Sequence, residues 1–455
     1  MDVIKIDKDI CTGCQECTKV CPAYAIEGEH GKPQTILEDR CIRCGQCVQK
    51  CKACISLADG EEVYNAKREE RGLPETVKEP LFAAHNVCHI REIKENLANP
   101  AKVCTVHAAP AVRVALGEEF GLPAGTDVSG KMAAALYELG FDHVYDANFA
   151  ADLTIMEEGT ELINRVTKGE GVLPMITSCC PGWVSFMENS FPELKDHLSS
   201  CKSPQQMQGA VEKTYGADKL GIPTGSVYTV SIMPCTAKIF ESNRDEMWDS
   251  GHRDIDSVLT TRELAYMIRE KGIDFASLKE REFELMLGAY TGAGAIFGVT
   301  GGVMEAAIRT GYELITDKQI PAVEIEAVRG KDGVRFGEVQ IDDLTLKVCV
   351  VCGLKNVIDV LNQVKEGTLD VQFIEVMACP QGCISGGGQP KLLEDIDAPE
   401  VFDARRKCIY EHDANLPIRK SHENPSIKLI YDEFLGEPGS EKAHHLLHTE
   451  YCLDK

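Results

Sequence analysis

The segment Phe373-Ile-Glu-Val-Met-Ala-Cys-Pro-Gln-Gly-Cys-Ile-Ser-Gly-Gly-Gly-Gln-Pro390 holds the most informative reading in this chain. A short apolar run ends in Cys379 and Cys383, and three consecutive glycines follow. Such a run reads as a buried strand that delivers two thiols at its end. The glycines allow bare backbone to press against whatever those thiols hold. Two other cysteine loops are built alike, Thr177-Ser-Cys-Cys-Pro-Gly-Trp183 and Met233-Pro-Cys-Thr-Ala-Lys238.

Each loop follows a candidate strand. Val172–Thr177, Val227–Met233, Leu346–Val351 and Val371–Met377 are short, apolar and rich in β-branched residues, as buried parallel strands are. Leu354–Val364 reads as a crossover helix, and alternating strand and helix argue for α/β lobes. Open α/β sheets bind ligands beyond the carboxyl ends of their strands. The expected fold class of this part of the chain is therefore α/β, two lobes with a shared thiolate site, and room for a cofactor, in the cleft between them.

Toward the N-terminus, Cys11, Cys14, Cys17 and Cys21 follow C-x-x-C-x-x-C-x-x-x-C, closed by Pro22, and Cys41, Cys44, Cys47 and Cys51 repeat the spacing. This is the bacterial two-cluster ferredoxin pattern, in which the fourth cysteine of each run crosses over to the other 4Fe–4S cluster. Cys51 is thus expected in the first set and Cys21 in the second. The second motif ends Cys51-Lys52 instead of Cys-Pro, and Cys54 stands as an alternative to Cys51. Lys52 would raise the potential of the nearer cluster, since positive charge favours the reduced state. Zinc, which takes four ligands, suits eight cysteines in this register poorly.

The divisions expected are 1–60 for the two-cluster domain, 61–103 for a helical connector, 104–395 for the catalytic domain and 396–455 for a wrapping tail. Glu61–Arg71 in the connector reads as helix, with Pro74 and Pro80 as punctuation. Cys88, His89, Cys104 and His107 match no metal-ligand spacing and read as structural.

The 21 cysteines cluster at short loop spacings, which favours metal ligation over disulfides. A net charge of −24 speaks against nucleic acid or an anionic membrane as the main partner. No apolar run is long enough for a membrane span. The opening Met-Asp-Val-Ile-Lys-Ile-Asp has no signal-peptide pattern, so a cytoplasmic location is expected, although a separately encoded targeting partner could export the protein.

Together the three cysteine loops resemble the signature of the iron-only (FeFe) hydrogenases, a likeness that extends to Ala293-Gly-Ala-Ile-Phe-Gly-Val-Thr-Gly-Gly-Val-Met304 and over nearly the whole chain. The resemblance implies an enzyme interconverting H2 with protons and electrons. It also implies an H-cluster: a 4Fe–4S cubane bridged to a two-iron subcluster with carbon monoxide, cyanide and dithiolate ligands, inserted by maturases. Cys180, Cys235, Cys379 and Cys383 match the cubane ligands, and Cys383 matches the bridging thiolate. Ala109, Pro110, Ser203, Gln205, Met233, Pro234, Phe297 and Met377 match the pocket, and Lys238 faces an anionic cyanide. Cys179 matches the thiol that passes protons inward, with Glu158, Glu161, Ser199, Arg165 and Glu241 forming a path to solvent. A favourable charge placement on one helix face is the plainer reading of Glu158 and Glu161. Departures from the family pattern are Lys52, Gln381 where glycine is usual, and Cys201, Cys349 and Cys352, which read as buried apolar residues.

The tail resembles the small subunit of two-subunit relatives, fused here to the catalytic chain. His444 and His448 stand four apart and read as a surface helix face. The electron partner is expected to be ferredoxin, or the iron–sulfur subunits of a formate dehydrogenase or NAD-linked complex. A hydrogen-sensing regulatory relative is the alternative, although Cys179 is present. An iron–sulfur assembly protein of the narf-like branch would lack the complete set of three loops.

Overall fold

The computed structural model describes residues 2–392 and 398–451; the expected boundary at 395/396 lies outside them. The N-terminal segment is built on two short helices, Glu16–Val20 and Gln46–Lys50, which pack together. Each is entered through a left-handed residue, Gln15 and Gly45, so the chain turns sharply after the second cysteine of each motif. Antiparallel pairings then stitch this segment shut: Ile4–Ile6 with Ala84–Asn86, and Cys54–Ile55 with Leu81–Phe82. The connector helix spans Glu61–Glu70, as its polar pattern predicts.

The catalytic body contains two four-stranded sheets. Its strands in chain order are β1 (Val103–Ala108), β2 (His143–Asp146), β3 (Met175–Ile176), β4 (Val227–Met233), β5 (Ser257–Thr260), β6 (Val334–Ile341), β7 (Leu344–Cys352) and β8 (Phe373–Met377). One sheet runs β5-β4-β1-β2, with every neighbour parallel. The other runs β6-β7-β8-β3, parallel except for the β6–β7 hairpin. All residues of β4 and β8 are buried, which is why their sequences are apolar runs without alternation.

The structure adds β1, β2 and β5 to the four expected strands and departs from the sequence pattern in two further respects. The expected strand Val172–Thr177 shrinks to Met175–Ile176, because Pro174 has no N–H to add to a ladder. The antiparallel β6, with its alternating exposure, has no counterpart among the expected strands. The crossover helix is Leu354–Glu366, close to its predicted span.

The tail opens with a long helix, Ala398–Asn415, and continues in short turns to Glu441–Leu447. It has little core of its own. Ile427, Ile430, Leu435, Leu446 and Leu447 instead join Tyr145, Phe149, Leu153 and Met207 in one apolar cluster. Arg405 clamps Glu118 with two bonds of 2.7 and 2.6 Å. Among the described residues, no helix is long and apolar enough to cross a membrane.

The glycine run after Cys383 docks the N-terminal segment on the catalytic body. A Cβ at Gly387 would lie 2.3 Å from the Cys44 carbonyl oxygen. Neither backbone can yield without shifting a cysteine loop. Gly387→Ala is therefore expected to destabilise the protein by about 1–3 kcal/mol, the usual range for overpacking. Gly311→Ala, in the helix Gly302–Thr316 with open space around its Cβ position, should be neutral or slightly stabilising. Thermal unfolding of the two variants checks both signs.

Candidate active site

The ends of β3, β4 and β8 point into one cleft between the sheets. β3 leads to Cys179 and Cys180, β4 to Cys235, and β8 to Cys379 and Cys383. All five cysteines line a single cavity of about 80 Å³. Ala109, Pro110, Gln205, Met233, Pro234, Lys238, Phe297 and Met377 line it too, joined by Ala147, Ala151 and Ala378, which sequence reasoning missed. The walls are apolar and small, so the cavity holds a compact group away from water.

Four of these thiols form one set. Burial pushes Cys235 up to about 12, with Cys180 adding to the shift. Burial also pushes Cys383 up to about 12, with Cys180 and Cys235 adding to it. Cys379 rises well above its ordinary value by burial, then by Cys235. Thiols so placed ionise only when a cation takes their charge. The Ala378 amide lies 3.5 Å from Cys180 Sγ, and Gln46 Nε2 lies 3.4 Å from Cys379 Sγ, two N–H donors suited to metal-bound sulfur. The donor set fits a thiolate-held iron–sulfur cluster.

Lys238 adds a cation to the same wall. Burial works against its charge, but Glu241 Oε2, 2.9 Å away, holds it above the usual lysine value. Glu241 also accepts from Ser203 Oγ at 2.9 Å and Gln205 Nε2 at 3.1 Å, and Ser231 Oγ donates to Gln205 Oε1 at 2.7 Å. Ser203 therefore sits one step behind the cavity. The structure places Glu241 in this lysine network, with no bond to Glu158 or Glu161. A fixed cation in an apolar pocket suits a small anionic ligand.

On the opposite side, the helix Ala147–Lys168 carries Glu158, Glu161 and Arg165. Its N-cap Asp146 accepts from the Asn148 amide. Glu158 is buried and neither of its carboxylate oxygens has a hydrogen-bond partner. Burial and the Glu161 charge push it up to about 8, against a smaller opposing pull from Ser199. Cys179 is held far above its usual value by burial, and Glu158 adds to that shift. Both groups thus carry protons at neutral pH. Ser199 Oγ donates to Glu161 Oε2 at 2.9 Å, and Arg165 Nη2 to Glu161 Oε1 at 2.6 Å. Arg165 also holds the carbonyls of Val172 and Leu198, so it fixes Glu161 in place.

The N-terminal cysteines gather in two crossed sets. Burial pushes Cys17 up to about 11, with Cys51, Cys11 and Cys14 adding. Burial raises Cys44 as well, with Cys21 and Cys41 among the contributors, and Cys47 rises by burial and by Cys44, Cys41 and Cys21. Cys51 is buried inside its set while Cys54 is exposed, which favours Cys51 over the alternative. Gln46, unremarkable within the motif, bridges the second set to the catalytic cleft through Cys379 Sγ and the Ser385 carbonyl. Lys391 Nζ caps the same helix by donating to the carbonyls of Val48, Gln49 and Cys51. Only contacts across more than 300 residues reveal these two.

Two crossed thiol sets abutting a third in a closed, apolar cleft define an iron–sulfur oxidoreductase. A family model described as iron-only hydrogenase large subunit, C-terminal domain, matches residues 102–387; the iron hydrogenase small subunit matches 399–452, and a 4Fe-4S dicluster domain matches 3–52. The chain is 48% identical over 433 residues to the NADP-reducing hydrogenase subunit HndD of Solidesulfovibrio fructosivorans, covering 91% of this chain and 73% of that protein. It is 45% identical over 403 residues to the periplasmic Fe hydrogenase large subunit of Nitratidesulfovibrio vulgaris, covering 88% of this chain and 90% of that one. An FeFe hydrogenase structure from Chlamydomonas reinhardtii superposes with a TM-score of 0.71 at 41% identity, over 80% of this chain and 99% of that one. The chain belongs to the iron-only hydrogenase family. It is an oxidoreductase acting on H2, with 4Fe–4S clusters and an H-cluster as its cofactors.

The lone Glu158 has a measurable signature. Its folded pKa of about 8 lies above its ordinary 4.5, so the native state keeps a proton that the unfolded chain releases. Stability should therefore fall as pH rises between about 4.5 and 8. Glu158→Gln removes this contribution, and its thermal unfolding midpoint should fall less than the parent's across that window.

Proposed function

We propose that this chain is the catalytic component of a hydrogenase in which electrons enter through the first N-terminal thiol set and leave the second toward Cys379. The observation that carries this reading is the placement of four cysteine thiols, one fixed cation and one proton-bearing thiol around a single apolar cavity. When bound, the H-cluster supplies the metal site at which H2 is made or split. Cys180, Cys235, Cys379 and Cys383 would hold its cubane, with Cys383 as the shared thiolate. Lys238, kept charged by Glu241, would hold an anionic ligand in place. Met233, Phe297 and Met377 exclude water from the same space.

The chain's own groups then move the proton. Cys179 Sγ holds one at the cavity wall. Glu158 holds the next, Ser199 hydrogen-bonds to Glu161, and Glu161 reaches the edge of the protein with a side chain 15% exposed. Arg165 positions Glu161 through its bonds to that carboxylate and to the Val172 and Leu198 carbonyls. The apposition of Cys44 and Gly387, with Gln46 at Cys379 Sγ, puts the second set next to the cleft. Cys11 and Cys14 of the first set are half-buried, near the surface where a partner would dock.

The partner in this reading is ferredoxin or the iron–sulfur subunits of a larger assembly, a formate dehydrogenase or an NAD-linked module. The name of the HndD relative, an NADP-reducing hydrogenase subunit, supports the assembly form. The segments act as a two-cluster domain (1–60), a connector (61–103), a catalytic domain (104–395) and a tail (396–455). The location in this reading is the cytoplasm, although the Nitratidesulfovibrio relative is periplasmic by name. Co-purification of the chain from its native cell identifies the partner.

Two variants test the roles. Cys179→Ala and Glu161→Gln should each lower H2 turnover at least about a hundredfold, the scale of a lost proton donor. The infrared bands of carbon monoxide and cyanide should remain. Loss of those bands in Cys179→Ala would make the thiol structural; a parent rate would mean that protons travel elsewhere. Separately, matured protein should contain about 14 irons, three cubanes and a pair, and Cys383→Ser should fall toward about 12, because a hydroxyl is a poor ligand for soft iron. Full activity in Cys383→Ser would remove it from its assigned place.

A further inference from the structure

The tail histidine that reads as part of a surface helix face is buried. His448 is 6% exposed, while its neighbour His444 is exposed and stacks on it at 4.6 Å. Its Nδ1 lies 2.8 Å from Ser200 Oγ and 3.9 Å from Cys201 Sγ. Its Nε2 lies 3.0 Å from Glu157 Oε2. Cys201 Sγ in turn lies 3.9 Å from Glu161 Oε2, and both Glu161 oxygens accept from the Ser200 amide. The imidazole, the thiol and the Glu161 carboxylate all fall within 4.8 Å of one another. Cys201, read from sequence as a small apolar residue, thus stands between two proton-carrying groups.

We propose that His448 of the fused tail is the outer proton station of the path, holding a proton beside Glu161 and passing it through the Cys201 thiol. The inference rests on the reading of Glu161 as the end of the internal path. Arg165, another neighbour of Glu161, cannot fill this place because a guanidinium does not release its proton. Ser200 is half-buried, so its hydroxyl connects His448 Nδ1 to solvent. Glu157 is buried and accepts from Tyr431 Oη and the Gly439 amide as well as facing His448 Nε2, so a fixed carboxylate orients the imidazole ring.

The transfer balances. In the direction of H2 production, the imidazolium gives its Nδ1 proton to Cys201 Sγ while the thiol's own proton passes to Glu161 Oε2. Neutral imidazole, an unchanged thiol and a protonated carboxyl result. In H2 oxidation the same atoms run in reverse. Burial holds the Cys201 thiol well above its usual value, with Glu161 adding to the shift, so no free thiolate interrupts the exchange. The groups facing the imidazole are Glu157, Ser200, Cys201 and, by stacking, His444.

The test uses matured enzyme carrying His448→Gln, His448→Ala, Glu161→Gln or, as control, the exposed His445→Gln. His448→Gln should lower turnover about tenfold, less than the ~10²–10⁴ of a lost inner donor, because Glu161 is itself partly exposed. Added imidazole should restore most of the rate to His448→Ala, whose truncation leaves room for it. The infrared bands of both should match the parent even where truncation of the buried side chain in His448→Ala lowers the melting temperature, and His445→Gln should behave as the parent. Parent rates in both His448 variants with a slow Glu161→Gln would overturn this station alone. A parent rate in Glu161→Gln would overturn the whole path and this station with it. A loss that imidazole does not restore and that tracks a lowered melting temperature would make His448 structural and also overturn the proposal.

Discussion

Four thiols brought together out of water repel ionisation unless a metal takes up their charge, and this constraint organises the molecule. Burial and mutual repulsion push Cys235 and Cys383 up to about 12. A cluster turns that penalty into a strong, localised bond. The strands therefore end where they do: parallel sheets leave their carboxyl ends open, and each of three such ends supplies a cysteine loop. The glycines that follow Cys383 are equally tied to the site, since a Cβ at Gly386 would meet the Pro234 carbonyl at 2.2 Å. Close backbone approach is what keeps the thiols dry and the N-terminal set adjacent.

Around the same cavity, carboxylates of one type are given opposite surroundings. Glu241 has a lysine and two further donors, so it serves as a fixed counter-charge. Glu158 has no formed hydrogen bond to either oxygen, only a weaker pull from Ser199 and the Ser178 backbone, and carries a proton up to about pH 8. An unpartnered buried carboxyl costs stability, and its persistence is understandable where a proton must be held and released. The separation of roles follows from partners, not from residue type.

Most of the cysteine placement was legible because each cysteine loop is a local motif, even though the cleft joins loops from Cys180 to Cys383. The crossed ferredoxin sets, the strand-then-cysteine loops and the lining residues from Ala109 to Met377 follow from spacing and from the family likeness. What stayed hidden depends on distant segments meeting. Glu241 lies six residues after Cys235, yet its neighbours decide that it serves Lys238. Gln46 is an ordinary polar residue until Cys379, 333 positions later, is placed beside it. His448 follows an i, i+4 pattern that fits a solvated face, but the helix ends at Leu447 and the chain turns inward there. The bridge between Cys201 and His448 is a tertiary event with no local signature.

The tail's attachment follows from the polar groups of one helix. Asp152 on Ala147–Lys168 is fully buried and accepts from Ser421 Oγ at 2.7 Å and Asn424 Nδ2 at 3.0 Å, both from the tail. Glu157, a turn and a half further on, takes Tyr431 and faces His448. A catalytic body without these partners would hand the lost bonds to water and expose the apolar residues around them, Phe149, Leu153 and Met207. The partners can arrive on a second chain or on the same one. Fusion replaces a bimolecular encounter by an effective concentration set by the linker, so the contacts persist at any dilution. The segment that completes the helix's hydrogen bonds is also the one that lays an imidazole against Glu161, which makes sealing this face and wiring it for protons a single structural event.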